Sequence, residues 1–87
     1  MDKVIKGFLN VNVGDVIYAY DEFSHDIDLH KVRVDSIEDD KENICEGNPN
    51  GKTLYVTDLD CIDEDGEYVS DDYISVVTLA SFWGSCA

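Results

Sequence analysis

The chain has 87 residues, of which 44% are apolar, and its 20 acidic against 6 basic side chains give a net charge of −14. This length predicts one folded domain spanning residues 1–87, with a modest core. Such a negative field repels nucleic acid and anionic lipid, and the chain lacks the basic patch that releases counterions from phosphates. We therefore expect neither direct nucleic-acid binding nor membrane binding.

The first half of the chain alternates apolar and polar residues with a period of two, which is typical of strands. One strand is predicted from about 15 to 21. A second contains Val32 and Val34, and a bulge is predicted near Ser36 because the alternation changes register there. A short third strand is predicted over residues 42–46.

The second half is divided by turn signals. Residues 47–51 hold the single proline and two glycines and predict a loop, whereas the β-branched and aromatic residues 53–57 predict a strand. Asp65–Gly66 predicts a tight hairpin turn, because glycine supplies the positive φ. Two β-prone pieces flank residues 71–72, and residues 79–87 are expected to form either one helical turn or an irregular plug.

These elements predict an all-β fold: a small SH3-like barrel of five or six antiparallel strands, with room for one short C-terminal helical turn. The stretch VIYAYDEF is loosely similar to the aromatic and acidic start of the SH3 family. The peptide groove of that family needs a Trp on a central strand and a Pro near a terminal turn. Here Trp83 is close to the C-terminal end and Pro49 lies in the predicted loop. We therefore expect the fold without its proline-motif function.

Three cysteines, an odd number, predict reduced thiols instead of a disulfide framework. The opening MDKVIKGFLN lacks the long apolar region of a secretion signal. No run approaches the roughly 20 apolar residues of a membrane span. The expectation is a soluble protein of the cytoplasm.

Residues 58–72 hold eight acids and no base, a composition that suggests a calcium loop. Aligned with the EF-hand consensus, Asp63, Asp65 and Asp72 take ligand positions 3, 5 and 12. Position 1 is then Cys61, a soft ligand that calcium disfavours, and the flanks are β-like where an EF-hand needs helices. The alternatives are a hairpin with solvated acids and a surface that a partner recognises as negative. Calcium is the weakest of the three.

Metal and catalytic motifs are not predicted. The chain has no CxxC pair, Cys45 and Cys61 are far apart, and His25 and His30 flank a loop. The cysteines are expected to be buried or half-buried in a β core. No nucleophile elbow, P-loop or dinucleotide-binding glycine motif occurs, and acids crowded on turns lack the desolvation that separates the pKa values of an acid and a base. We expect no enzyme, no metal and no cofactor.

The acids of the second half form the predicted partner-binding site. A net charge of magnitude about 2–8 suffices for solubility in a small domain, and this chain exceeds it. Acids at positions i and i+2 of a strand lie about 6.8 Å apart on one face, which is of the order of the spacing between phosphates on a nucleic-acid strand. The predicted binding residues are Asp58, Asp60, Asp63, Glu64, Asp65, Glu67, Asp71, Asp72 and Trp83.

Most aromatic residues fall at predicted strand positions, where packing in the core or at the barrel ends is expected. Phe82 and Trp83 have two interpretations: a plug that closes the barrel, which we favour, or an exposed anchor for a partner. The residues assigned to packing are Tyr18, Tyr20, Phe23, Tyr55, Tyr68 and Tyr73.

The segments VGDVIYAYDEF, VRVDSIEDD, GKTLYVTDLD and ISVVTLASF, within residues 13–82, resemble the small acidic open reading frames of Firmicutes phages and mobile elements. The resemblance implies a mobile-element origin, and hence the cytoplasm of a host cell. Such proteins include anti-CRISPR and other DNA-mimicking inhibitors of host defence.

The leading hypothesis is a non-enzymatic inhibitor whose acids bind the basic nucleic-acid channel of a defence protein, such as a CRISPR effector or a defence nuclease. The alternative is an SH3-like structural or assembly adaptor that docks a protein partner through an aromatic patch, with the acids serving solubility. The two hypotheses differ in salt dependence, because screening weakens a charged interface much more than an apolar one.

Overall fold

The structure is a computed structural model that describes residues 3–21 and 28–85. Within these residues the chain forms one short helix, one 3₁₀ turn at Lys41–Asn43 and five strands. In chain order the elements are α1 (Lys3–Leu9), β1 (Val16–Ala19), β2 (His30–Asp39), β3 (Lys52–Asp58), β4 (Val76–Val77) and β5 (Phe82–Ser85). The prediction of a mostly β fold of five antiparallel strands is confirmed.

The strands form a single antiparallel sheet in the order β4-β3-β2-β1-β5, curled into a half-barrel. β2 and β3 pair along most of their length, from Val32 opposite Asp58 to Asp39 opposite Lys52. Their register shifts between Val34 and Ser36, which confirms the predicted bulge.

The core lies between the sheet and α1. Phe8 of the helix meets Phe82 of β5 edge to face, with ring centroids 5.6 Å apart and planes inclined at 64°. The other buried apolar side chains come mainly from alternate positions of the strands. The core comprises Phe8, Val11, Ile17, Ala19, Val32, Val34, Leu54, Val56, Ile74, Val77 and Phe82.

The helix lies near the start of the described chain, not at the C-terminal end where a helical turn was predicted. Residues 78–81 form a hydrogen-bonded turn, and the following residues pair with β1 as β5. The sequence of α1 shows no amphipathic period because it has seven residues and includes a glycine and two β-branched residues. Short helices of this kind are stabilised by packing more than by propensity. At Gly7, a Cβ atom would already lie 3.4 Å from the ring of Phe82.

The strand predicted over residues 42–46 is wrong. The Asp40 carboxylate accepts a hydrogen bond of 3.0 Å from the amide of Glu42 and starts the 3₁₀ turn instead. The predicted loop at residues 47–51 is confirmed. It is closed by the buried side chain of Asn48, which accepts from the amide of Lys52 and donates to the carbonyl of Asn43.

Lys52 joins the sheet to the helix. Its Nζ donates to the carbonyl of Leu9, the last residue of α1, at 2.9 Å and to the carbonyl of Val11 at 2.8 Å, which supplies partners for carbonyls at the end of the helix and just after it. Burial lowers the pKa of Lys52 and outweighs the opposite effect of nearby acids.

Among the described residues, no helix has the length and apolar character that a membrane crossing requires.

Candidate functional site

The predicted acidic residues lie almost entirely in the connection between β3 and β4, where an isolated bridge joins Ile62 to Tyr68. The predicted turn at Asp65–Gly66 is confirmed, and Gly66 has a φ of 81°. The hairpin loop spans three residues, because the amide and the carbonyl of Asp63 bond to Glu67 and Gly66. The Oδ1 atom of Asp63 accepts hydrogen bonds from the amides of Asp65, at 2.9 Å, and Glu67, at 3.0 Å. The carboxylate of Asp63 therefore stabilises the turn through hydrogen bonds to its backbone.

Residues 60–72, named the acidic loop from here on, expose seven carboxylates to solvent. They do not lie on a strand, so the predicted i, i+2 spacing of a phosphate backbone is not formed: between β3 and β4 the chain makes turns and bends with one isolated bridge. The exposed acids are Asp60, Asp63, Glu64, Asp65, Glu67, Asp71 and Asp72.

Asp58 is the exception, and its assignment to the acidic surface is wrong because its side chain is fully buried. It is the last residue of β3 and continues the inward alternation of Leu54 and Val56. One carboxylate oxygen accepts from the amide of Ile74 at 2.9 Å and contacts His30 Nδ1 at 2.6 Å. The other accepts from the amide of Asp60 at 3.1 Å. Its lone pairs are therefore used inside the fold.

His30 and Cys61 complete a cluster around Asp58. His30 is the first residue of β2 and shares the inward face of Val32 and Val34, with its side chain 16% exposed. Cys61 is buried in the turn after β3, and its Sγ lies 3.8 Å from His30 Nδ1. The cluster was not predicted, because His30 is far from Asp58 and Cys61 in the sequence and the three residues match no ligand-spacing motif. The available signal was that His30 and Asp58 extend two apolar strand faces.

The surroundings of the cluster shift the pKa values of His30 and Cys61. Burial by itself lowers the pKa of His30, but the hydrogen bond and charge of Asp58, with the charges of Asp28 and Asp60, outweigh it and raise the pKa above its ordinary value. Burial, together with the charge of Asp58 and neighbouring acids, raises the pKa of Cys61 to about 11. Cys61 is therefore a thiol at neutral pH and a poor nucleophile.

The cluster does not have the geometry of a catalytic relay. In such a relay the carboxylate and the nucleophile contact opposite nitrogens of the imidazole. Here Asp58 and Cys61 both approach Nδ1 of His30, at 2.6 and 3.8 Å. The arrangement joins the imidazole to a buried carboxylate by a short contact and brings together three kinds of metal-ligand atom.

An open cavity of about 630 Å³ lies beside the cluster. His30 and Cys61 form part of its wall, and carboxylates of the neighbouring segments contribute much of the remainder. The lining residues are Asp21, Asp28, Leu29, His30, Asp60, Cys61, Ser70 and Asp72. The cavity is therefore strongly negative.

The aromatic residues divide between core and surface. Phe82 is buried, whereas Trp83 is 56% exposed on β5, so a plug made of both residues is wrong for Trp83. Tyr68 and Tyr73 are also exposed, against the prediction of packing, and their rings stack with centroids 3.8 Å apart. Phe23 lies outside the described residues, and the half-buried tyrosines are Tyr18, Tyr20 and Tyr55.

The EF-hand interpretation has no structural counterpart, because the acidic loop follows strand β3 and leads into β4 where helices are required. Of the cysteines in the described chain, Cys61 is buried as predicted, whereas Cys45 is exposed. His25 and Cys86 lie outside the described residues.

No family model, curated protein or solved structure matches this chain.

Proposed function

We propose that the protein is a non-enzymatic inhibitor whose acidic loop binds the basic nucleic-acid-binding surface of a host defence protein, such as a CRISPR effector or a defence nuclease. The observation that carries this proposal is the exposure of seven carboxylates in one loop, within a segment, residues 53–87, that contains no basic residue. A field of one sign steers encounter with a basic surface and disfavours acidic partners.

Charge alone does not select one basic protein among many, so the interface also needs shape and apolar contacts. The stacked rings of Tyr68 and Tyr73 lie in and directly after the acidic loop, and Val69 between them is 68% exposed. Exposed aromatic side chains of this kind are common anchors in interfaces. Trp83 on β5 is a further proposed anchor at the sheet edge.

Three features support the rest of the proposal. The sheet order, in which β5 pairs beside β1, supports an SH3-like barrel. The free state of Cys45 and Cys61 supports the reducing cytoplasm of a host cell. The approach of Asp58 and Cys61 to the same nitrogen of His30 supports a role without catalysis.

The first test is charge reversal with a control of equal charge. The loop variant is Glu64→Lys/Glu67→Lys/Asp71→Lys, at exposed positions whose side chains are not used in the hydrogen bonds of the turn. The control is Glu38→Lys/Glu42→Lys/Glu46→Lys, at exposed positions of β2 and the turns that follow it. Each tagged chain is exposed to nuclease-treated host lysate and eluted with a salt gradient.

We expect the native chain and the control to retain one nucleic-acid enzyme, released by moderate salt and displaced by added DNA, and the loop variant to lose it by at least about tenfold, since each close charge pair contributes about 1 kcal/mol or more. Equal retention by both variants overturns the proposal. An equal loss in both variants does so as well, because net charge and not the acidic loop would then determine binding.

A second candidate, the adaptor, is favoured by one observation, the 56% exposure of Trp83. In this case the partner is held by apolar contact, so its retention is nearly independent of salt. Trp83→Ala then removes the partner, whereas the loop variant keeps it.

A further inference from the structure

The cluster of His30, Asp58 and Cys61 brings an imidazole nitrogen, a carboxylate oxygen and a thiol sulfur within 4.8 Å of one another. These atoms come from the start of β2, the end of β3 and the turn that follows. Antiparallel pairing of β2 with β3 brings the first two together. The chain then turns, with the amide of Cys61 bonded to the carbonyl of Asp58, and this turn places Cys61 beside them.

The distances from His30 Nδ1 to the other two atoms can be compared with the distances between ligands of one zinc ion. Zn²⁺ binds nitrogen and oxygen at about 2.0–2.1 Å and sulfur at about 2.3 Å in a tetrahedron, which places neighbouring ligand atoms about 3.3–3.5 Å apart. Cys61 Sγ lies 3.8 Å from His30 Nδ1, within a few tenths of an ångström of this value. Asp58 Oδ2 is closer, at 2.6 Å, because a proton joins it to the ring. An ion in place of that proton moves the two atoms apart by less than about 1 Å.

The ligands are held in position by groups outside the triad. Backbone amides of Asp60 and Ile74 fix both oxygens of Asp58. The carboxylate of Asp28 lies 3.6 Å from His30 Nε2, on the side where an imidazole bound through Nδ1 keeps its proton. Hydrogen-bonded or charged partners of this kind orient the ligands in metal sites.

We propose that His30 Nδ1, Asp58 Oδ2 and Cys61 Sγ bind one Zn²⁺ ion in the wall of the acidic cavity, with the fourth coordination position open to the cavity and filled by water. Nitrogen and sulfur donors favour zinc over calcium and magnesium, which prefer oxygen alone. The carboxylates of Asp60 and Asp72 in the same cavity attract cations to the site. The ion joins the ends of β2 and β3 to the first residues of the acidic loop.

This site is independent of the partner proposed above, so its test uses the purified chain alone. The reduced protein is freed of metal with a chelator and titrated with Co²⁺, a coloured substitute for zinc, in excess Mg²⁺ that occupies weak carboxylate sites. We expect one Co²⁺ per chain, with the near-ultraviolet absorption of a cobalt–thiolate bond and the visible bands of tetrahedral coordination. Added Zn²⁺ removes these bands, and it raises the unfolding temperature because it binds the folded chain.

Two variants locate the site. Cys61→Ser keeps the size of the side chain but removes the soft ligand, and we expect it to lose the thiolate absorption and at least about tenfold in Zn²⁺ affinity. Cys45→Ser/Cys86→Ser leaves the cluster unchanged with Cys61 as its single thiol, and we expect native absorption and affinity. If this double variant lacks the absorption, or if Zn²⁺ stabilises Cys61→Ser as much as the native chain, the proposal is overturned. In the latter case, surface acids alone would bind the ion.

Discussion

Asp58 has no contact with solvent, but three donors surround its two oxygens: the amides of Asp60 and Ile74 and the ring of His30. Removal of a charge from water is costly, and the cost is offset only when the charge is paired and hydrogen-bonded. The pair with His30 meets both conditions. In the absence of an ion, the pair therefore fixes the ends of β2 and β3.

The first prediction concerns the pH dependence of this pair in the presence of chelator. Because the pKa of His30 is raised in the folded chain, the stabilisation from its proton is fully present below about pH 6.5 and is lost as the pH rises through the raised value. We expect the difference in free energy of unfolding between the native chain and His30→Gln to be larger at about pH 6 than at about pH 9, measured by urea denaturation. The groups that face the ring are Asp28, Asp58, Asp60 and Cys61.

His25→Gln is the control for this measurement, since it removes the other histidine of the chain. A difference between the native chain and His30→Gln that stays constant from pH 6 to 9 would show that the pair is a neutral hydrogen bond. That result would contradict the raised pKa.

At the scale of the elements, two glycines with similar backbone angles have very different surroundings. Gly51, which precedes β3, has a φ of 71°, and a Cβ atom there would lie 1.9 Å from the carbonyl oxygen of Asp40. Gly66 in the acidic loop has a φ of 81°, and a Cβ atom there would have no heavy atom within 4 Å. Substitutions at these two glycines therefore separate the free-energy cost of the backbone angle from the cost of steric contact.

We expect Gly66→Ala to lower the free energy of unfolding by about 1–2 kcal/mol, the cost of a left-handed angle for alanine. Gly51→Ala is expected to cost at least about 3 kcal/mol, because the main chain must also move away from Asp40. Denaturant unfolding of both variants measures the two values. Equal losses would mean that the chain between β2 and β3 relaxes without cost.

Whether an element could be predicted from the sequence depended on whether it is determined by residues close together in the chain. Alternation identified β1, β2 and the bulge near Ser36, because these strands bury one face, whereas β3 was identified by its β-branched and aromatic residues. Helix α1 was not predictable, since its formation depends on the contact of Phe8 with Phe82, which is distant in sequence. His30 and Asp58 were assigned by residue type, although their positions at the ends of inward-facing rows indicated burial.

At the scale of the whole molecule, a net charge of −14 repels itself in the compact state. Screening shortens the range of this repulsion to about 3 Å at 1 M salt. We therefore expect NaCl to stabilise the fold, by about 1 kcal/mol or 4–8 °C in unfolding temperature between low salt and 0.5 M. The Glu38→Lys/Glu42→Lys/Glu46→Lys variant is the matched comparison and is expected to respond less. An unfolding temperature that does not change with salt in either chain would show that the acids are already compensated locally.

The two ends of the segment 59–73 are joined through one side chain, since Asp58 at the end of β3 accepts a hydrogen bond from the amide of Ile74. The loop is thereby closed at its base, independently of what lies between. Closure entropy rises only with the logarithm of loop length, so doubling such a loop costs about 0.6 kcal/mol. We therefore expect the sheet to tolerate insertion and replacement in the exposed turn at Asp63–Glu67, provided that the hydrogen bond between Asp58 and Ile74 is kept.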